Sequence, residues 1–170
     1  MNRTRALVLG LAVPTVLATT ALVVTPAIGS QGATSAVGTW EMTVDPRPIQ
    51  GPSGPVDPPP FPSLVSYNRG GTLTESVSSL PGFALGQPLM ANDATSGIGV
   101  WKQKGSKITF TFKKFLTKDG VVVGWQVVKG EGKATKKGTT QTATATFYKA
   151  DGTQVGPVLT VDATGTRMAP

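Results

Sequence analysis

The feature that most restricts the fold of this chain is a series of short segments in which apolar and polar residues alternate. The alternation is most regular from Gly97 to Arg167, where turn-forming dipeptides separate the segments. Three of these dipeptides are Gly105-Ser106, Asp119-Gly120 and Asp151-Gly152. Successive side chains of a β-strand point to opposite faces, so this pattern predicts half-buried strands joined by hairpins.

The earlier part of the chain continues this pattern. Residues 38–45 alternate, and a predicted hairpin joins residues 63–67 to residues 72–76 through a Gly-rich turn. The chain therefore contains about eight to ten short strands, and residues 37–170 contain no convincing helical segment. Such a meander forms either a sandwich or a barrel. Sequential hairpins favour an all-β, antiparallel up-and-down barrel, whose closure removes exposed strand edges.

Two longer connections interrupt the strands. Pro46 to Pro62 contains eight prolines, and proline cannot join the interior of a sheet. We expect this stretch to form a semi-extended surface loop over the barrel mouth. It is either a lid that uses Ile49, Val56 and Phe61 or a loose excursion. Residues 78–96 are broken by Pro and Gly and predict a second long loop on the barrel rim.

The N-terminal segment has the order of a cleavable export signal. Arg3 and Arg5 precede a run from Ala6 to Val24 that is apolar apart from three threonines, and small residues follow. We assign residues 1–36 to a signal peptide and short spacer, and residues 37–170 to the barrel domain.

Two cleavage points fit these small residues. Cleavage after Ala27 or after Ala36 makes the protein secreted. The alternative is a retained membrane anchor, because the apolar run is close to the roughly 20 residues that span a bilayer. We therefore expect membrane attachment only if this segment is retained.

Positive charge is concentrated in the second half of the chain. Eleven lysines and two carboxylates between Lys102 and Lys149 give a local balance of +9, whereas residues 37–101 have a balance of −3. A basic flank attracts anionic polymers, but a Lys-rich face also keeps barrel strands soluble and unpaired. The lysines are not interleaved with exposed aromatic residues, so we expect no nucleic-acid partner.

The sequence contains no His and no Cys, which excludes several kinds of site. These are Ser-His-Asp hydrolysis, cysteine catalysis, zinc sites with His or thiolate ligands, and His-ligated haem. Gly97-Ile98-Gly99 lies within a predicted strand with no helix after it, so it is not a nucleotide-binding turn. The nine carboxylates lack the spacing of a calcium loop. We expect neither a metal nor a cofactor.

Trp40 and Arg167 are expected to close one end of the barrel, since a guanidinium group can stack on an indole ring and donate to backbone carbonyls. They belong to the tripeptides Gly38-Thr39-Trp40 and Gly165-Thr166-Arg167. Together with Leu64-Val65-Ser66-Tyr67, which precedes Asn68-Arg69-Gly70-Gly71, these tripeptides resemble the signature of the lipocalin-like (calycin) barrels. The resemblance spans the predicted barrel domain, and it implies a barrel that holds a small apolar molecule.

The predicted interior faces define a candidate ligand cavity. Ala143 and Ala145 are small where neighbouring strands carry aromatic residues. They either leave room for a flat apolar ligand or interdigitate to fill a narrow barrel. In residues 121–128 we assign the apolar set of Val121, Val123, Trp125 and Val127 to the interior. The expected cavity residues are Trp101, Phe110, Phe112, Trp125, Ala143, Ala145 and Phe147.

Glu75 and Tyr67 are the candidate catalytic residues. Glu75 shares strand parity with Leu73 and Val77, so an inward Leu73 places the carboxylate in the interior. Burial raises the pKa of a carboxyl group, which suits a general acid or base, and Tyr67 across the hairpin can donate a hydrogen bond. Alternatively, the strand ends at Thr74, and Glu75 lies at the wet rim, paired with a Lys.

Three functions remain open from the sequence. The favoured one is an exported barrel that binds a small apolar ligand without a prosthetic group. The second is a cofactor-free isomerase or cyclase that uses Glu75 and Tyr67. The third is an envelope-associated interaction protein whose Lys-rich face contacts an anionic cell-surface polymer.

The export signal yields a prediction about the mature protein. Because a charged start, an apolar run and small residues follow one another, the mature N-terminus is expected between Ile28 and Val37. N-terminal sequencing of protein from its own host measures this directly. Recovery of intact Met1 on membrane-held protein would contradict the prediction.

Overall fold

The computed structural model describes residues 35–51, 54–77 and 89–169. These residues form eleven β-strands, and none of them is helical. The strands are β1 (Gly38–Pro46), β2 (Ile49–Gly51), β3 (Gly54–Val56), β4 (Phe61–Tyr67), β5 (Thr72–Val77), β6 (Asp93–Ala94), β7 (Gly97–Lys104), β8 (Lys107–Lys118), β9 (Val121–Ala134), β10 (Thr139–Lys149) and β11 (Gln154–Arg167). The expectations for residues 1–34 and 78–88 lie outside the described residues.

Eight of these strands close into one antiparallel barrel. Its order is β1-β4-β5-β7-β8-β9-β10-β11, and β11 returns to β1. The β8–β9 hairpin completes the ring, with paired residues from Lys107↔Lys133 to Lys118↔Val121. The short β6 pairs with β8 beyond the end of β7. The predicted all-β, up-and-down barrel is thus confirmed.

The two ends of the barrel differ in their connections. The short turns at residues 68–71, 105–106 and 135–138 lie where β1 begins and β11 ends, and we call this the sealed end. At the opposite end, which we call the loop end, β1 ends and β4 begins, and β5 ends and β7 begins.

The proline-rich connection forms more β-structure than the sequence predicts. β2 and β3 pair within it as a separate two-stranded sheet, with Ile49 opposite Val56. The expected semi-extended loop is therefore wrong for these strands. Proline is tolerated here because both strands of a two-stranded sheet are edge strands. Phe61 belongs to β4, and its side chain lines the barrel interior.

Trp40 and Arg167 meet at the sealed end, as predicted. They are opposite each other in the β1–β11 register, and the guanidinium carbon lies 4.5 Å from the centre of the indole ring system. Arg167 donates hydrogen bonds to the carbonyl oxygens of Ser35 and Val37. Trp40, which is buried, donates through Nε1 to the Ala36 carbonyl oxygen at 2.9 Å. These bonds fix the segment that precedes β1.

Gly38 satisfies two constraints beside this pair. Its φ of +132° is one that residues with a side chain rarely adopt. A Cβ at this position would also lie only 2.7 Å from a guanidinium nitrogen of Arg167. The spacing of Gly38 and Trp40 therefore follows from the geometry of the seal, since the glycine leaves room for the arginine that covers the tryptophan.

The buried side chains form two clusters. The larger one includes Trp40, Leu73 and Ile108 near the sealed end. The smaller one, near the loop end, is built from Ala91, Leu116 and Phe147.

The interior assignment for β9 needs correction. The buried residues of β9 are the even-numbered set that includes Gln126 and Val128, so Val121, Trp125 and Val127 do not face the interior. A Cβ on Gly130 would lie 2.4 Å from the ring tip of Phe110. β9 therefore carries small residues on its inner face where β8 presents the large Phe110 ring. Of the apolar set, Val123 packs against the smaller core cluster near the loop end.

The seal generates a stability prediction. Arg167→Ala removes a cation–π contact and two donors to backbone carbonyls. Because Arg167 is exposed, the expected cost is about 1 to 2 kcal/mol in the free energy of unfolding. Arg167→Lys should recover only part of the lost stability, since an ammonium group cannot stack on the indole ring or donate two hydrogen bonds in a planar arrangement. Urea denaturation measures each variant.

Arg69 supplies the control, because it occupies an exposed turn at the same end. Arg69→Ala should change the stability by less than about 0.5 kcal/mol. An equally small effect of Arg167→Ala would show that the stacking does not stabilise the barrel.

Candidate functional site

The barrel encloses a cavity of about 90 Å³ with mixed walls. Eleven of the residues that line it are apolar, and Phe61, Phe110 and Phe112 contribute aromatic rings. Its polar lining residues are Ser63, Tyr67, Glu75, Lys114, Gln126 and Gln141. A mostly apolar cavity with a few convergent polar groups is typical of small-molecule sites.

An ion pair lies inside the barrel. Lys114 Nζ is 3.2 Å from both carboxylate oxygens of Glu75, and the two side chains are 5% and 6% exposed. Ser63 Oγ donates to Glu75 Oε1 at 3.3 Å. The interior position predicted for Glu75 from its parity with Leu73 is therefore correct, and the rim alternative is wrong. The rim alternative expected a lysine partner for Glu75. This partner is Lys114, and it lies inside the barrel.

Gly97 allows the two charged side chains to meet. They come from β5 and β8, which are separated in the barrel by β7. Gly97 of β7 is the register partner of Glu75, and a Cβ on it would lie 3.0 Å from Glu75 Oε2 and 2.6 Å from the Phe112 ring. Lys114 and Glu75 thus make contact across a strand that has no side chain at this point.

Tyr67 places a hydroxyl group without a hydrogen-bond partner at the cavity. The side chain is 1% exposed, and its ring packs against Trp101 and Phe110 at centroid distances of 4.9 and 6.4 Å. Burial raises the pKa of Tyr67, and the neighbouring Gln141 amide lowers it by less. Although Gln141 is close enough to have this effect, no group in the described part of the chain makes a hydrogen bond of normal geometry with the hydroxyl.

Gln141 itself is directed elsewhere. Its Nε2 donates to Thr139 Oγ1 at 3.3 Å. Buried polar atoms in folded proteins almost always have a hydrogen-bond partner. The Tyr67 hydroxyl is therefore an unpaired buried polar group on a residue that lines the cavity.

Most of the predicted site residues come together. Phe110, Phe112, Ala143 and Ala145 line the cavity, as do both candidate catalytic residues, Glu75 and Tyr67. Tyr67 and Glu75 are diagonal neighbours on β4 and β5, since their register partners are Leu73 and Val65. Sheet geometry places such residues roughly 7–8 Å apart on one face, so one small molecule can contact both.

Three predicted cavity residues lie elsewhere. Trp101 faces inward at the sealed end, where it packs on Tyr67 and its Nε1 donates to the Asn68 carbonyl oxygen at 3.0 Å. Phe147 faces inward in the smaller core cluster near the loop end. Trp125 lies on the outer surface, stacked on Tyr148 with Lys113 Nζ 4.0 Å from its ring centre. Trp101 and Phe147 face inward but lie at other levels along the barrel axis. The strand parity of Trp125 places its side chain on the outer face.

Lys114 is a residue of the candidate site that was not predicted from the sequence. It follows Ile108, Phe110 and Phe112 at the same parity, and Leu116 continues the series on β8. A charged residue within such a series usually marks the end of a strand, but here β8 extends to Lys118. Lys114 has the same strand parity as Phe112 and Leu116, and this parity indicated an inward side chain.

The cavity offers an uncharged proton donor and a mutually neutralised ion pair within apolar walls. Glu75 lies within hydrogen-bond distance of Lys114 and Ser63, so it is not the carboxyl group in purely apolar surroundings that the catalytic hypothesis expected. Among the residues that the structure describes, no group of three carboxylates can hold a metal ion. Within the same ranges, no helix has the length and hydrophobicity to cross a membrane.

Comparisons with protein-family models, with curated proteins and with solved structures find no match to this chain. The eight-stranded antiparallel barrel is compatible with a lipocalin-like fold. The likeness therefore consists of the barrel architecture and of Trp40, Arg167 and Gly38 at its sealed end.

The ion pair generates a second stability prediction. Lys114→Met leaves a buried carboxylate without its partner, and Glu75→Gln leaves a buried ammonium group. Each single variant should lose about 3 to 5 kcal/mol of unfolding free energy. The double variant should lie near the wild type or above it, because it buries no charge. Urea denaturation of all four proteins gives the coupling energy.

Lys107 and Glu131 provide a surface control. Their charged groups are 2.7 Å apart, but the side chains are 56% and 63% exposed. Lys107→Met should therefore cost at most about 1 kcal/mol. If Lys114→Met were equally mild, the charges of the interior pair would be solvated.

Proposed function

We propose that this barrel binds a small, largely apolar molecule in its interior cavity. The observation that supports this most directly concerns Tyr67, which lines the cavity and whose buried hydroxyl has no hydrogen-bond partner in the described part of the chain. Around it, apolar and aromatic side chains provide most of the wall. Such a wall favours apolar ligand surface, and the few polar groups orient it.

The size of the cavity limits the ligand. Its volume of about 90 Å³ is smaller than the roughly 150 Å³ cavity that accommodates benzene in an engineered protein core. The ligand is therefore about the size of one ring, and its entry requires adjustment of the lining side chains. Met42 lines the cavity, and methionine is the apolar side chain that adapts most readily.

Export remains part of the proposal, and the sealed end bears on the cleavage point. Ser35 and Ala36 accept hydrogen bonds from Arg167 and Trp40, and the Ala36 amide donates to Gln103 Oε1 at 2.8 Å. Cleavage after Ala36 would remove these contacts. We therefore favour cleavage after Ala27, which leaves the segment that closes the barrel attached.

A cofactor-free isomerase or cyclase is the second candidate function. The observation in its favour is that Glu75 and Tyr67 line one cavity. In this case Glu75 would hold or move a proton while Tyr67 donates a hydrogen bond to the substrate. Loss of turnover with ligand binding retained in the double variant Glu75→Gln, Lys114→Met, which is expected to keep its stability, would favour the enzyme over the container.

The third candidate, an interaction with an anionic polymer, depends on the outer surface. Ten of the eleven lysines between Lys102 and Lys149 are exposed, and Lys114 is the exception. This basic surface would attract an anionic cell-surface polymer through long-range electrostatics. It is compatible with ligand binding inside the barrel, since the two surfaces are on opposite faces of the same strands.

Filling the cavity tests the proposed function. Ala145→Phe places a ring in the space that Ala145 lines. Because it fills a void, it should cost less than the roughly 1 to 3 kcal/mol of overpacking, and it should abolish binding of one-ring probes. Titration of ¹⁵N-labelled protein with toluene, followed by amide chemical shifts, measures binding. Denaturant melts measure the stability.

Thr144 offers a matched control on the same strand. It precedes Ala145 and is exposed on the outer face, so Thr144→Phe adds an equal ring outside the barrel. This variant should bind toluene as the wild type does. A wild type that binds no one-ring probe, with an Ala145→Phe variant that is strongly destabilised, would mean that the barrel is filled and that the proposed function is wrong.

A further inference from the structure

The charges and hydrogen-bonding groups of the cavity indicate what kind of molecule it accepts. Its charged lining residues are Glu75 and Lys114, and each neutralises the other at 3.2 Å. Its other polar lining residues are uncharged. Among these groups, the Tyr67 hydroxyl is fully buried and has no hydrogen-bond partner in the described ranges.

We propose that the ligand is an uncharged one-ring molecule with a carbonyl-type acceptor, and that this acceptor takes a hydrogen bond from the Tyr67 hydroxyl. The inference rests on the proposed function, since it names the class of ligand for the same cavity. It assigns Tyr67 as the residue that distinguishes this class from purely apolar molecules of equal shape.

The requirement for an acceptor follows from the state of the phenol. Burial raises the pKa of Tyr67, so the group keeps its proton at neutral pH and can donate it to a hydrogen bond. A protonated phenol has one O–H donor, and no group in the described ranges accepts a hydrogen bond from it. The proton of the hydroxyl therefore remains for a group on the ligand.

The requirement for zero charge follows from the ion pair. A charged ligand would lose several kcal/mol of hydration on entering the barrel. Its natural counter-ion would be Glu75 or Lys114, but each of these already has its partner, and Ser63 also donates to Glu75. Recruiting one of them would leave the other unpaired. A neutral molecule avoids this cost.

The requirement for a ring follows from the walls and the volume. Phe110 and Phe112 lie nearly parallel, with an interplanar angle of 13° and centroids 6.2 Å apart, and both line the cavity. Tyr67 is tilted by 59° to Phe110. Flat aromatic surfaces contact a flat ligand most completely, and about 90 Å³ admits no more than one ring.

Three probes of nearly equal shape test the proposal: acetophenone, α-methylstyrene and benzoate. α-Methylstyrene replaces the carbonyl oxygen of acetophenone by a methylene group, and benzoate carries a charge. Each is titrated into full-length mature protein and into Tyr67→Phe, with binding followed by amide chemical shifts. Urea melts check the fold of the variant, which removes an unpaired buried hydroxyl and should be at least as stable as the wild type.

We expect the wild type to bind acetophenone about 3 to 10 times more tightly than α-methylstyrene, the range of one neutral hydrogen bond. Tyr67→Phe should bring this ratio close to one by weakening acetophenone alone. Benzoate should bind more weakly than either. Since the wild-type ratio is measured without any substitution, the test holds even if the variant folds poorly.

The outcomes that would contradict the proposal distinguish an error in the ligand class from an error in the proposed function. Equal wild-type affinities for acetophenone and α-methylstyrene, or a ratio that Tyr67→Phe does not change, would overturn the role of Tyr67 while leaving the cavity as a binding site. Tighter binding of benzoate would overturn the requirement for a neutral ligand. Absence of binding by all three probes would overturn the proposed function itself.

Discussion

The β8–β9 pairing that closes the sheet is the constraint on which the rest of the structure depends. Without it, the eight strands would form an open sheet with two exposed edges. With it, every inward side chain faces another strand across a narrow space, so large residues require small ones nearby. Phe110 packs where β9 has Gly130, and Phe112 packs where β7 has Gly97. Closure therefore decides which residues can occupy the interior.

The same closure makes the two ends of the barrel different. At the sealed end, Trp40 fills the interior, and Arg167 covers it while binding the carbonyls of the preceding segment. Toward the loop end, the interior holds a cavity and the pair of Glu75 and Lys114. A buried ion pair contributes little to stability compared with apolar residues of the same volume. Under the proposed function, this pair beside the cavity selects against charged ligands.

The proposed function connects these features. In this proposal, the apolar walls bind the apolar surface of the ligand, and the Tyr67 hydroxyl orients it through a hydrogen bond. The neutralised pair of Glu75 and Lys114 removes any advantage for a charged ligand. The catalytic alternative uses the same groups, because Glu75 and Tyr67 line one cavity. The two functions differ in whether Glu75 exchanges a proton with the bound molecule.

The sequence by itself determined the strands of the barrel, their sequential order and the sealed end, but not β2 and β3. Alternation and turn composition are local properties, and Trp40 and Arg167 mark the first and last strands directly. It left Glu75 open between the interior, which parity with Leu73 allows, and the wet rim. Only the tertiary structure decided the inner face of β9 and the partner of Glu75. Trp125 belongs to the more apolar face of β9, but the glycine-rich face is the one that fits around Phe110. Lys114 meets Glu75 across Gly97 of a third strand, and such a contact depends on barrel closure, which no local pattern encodes.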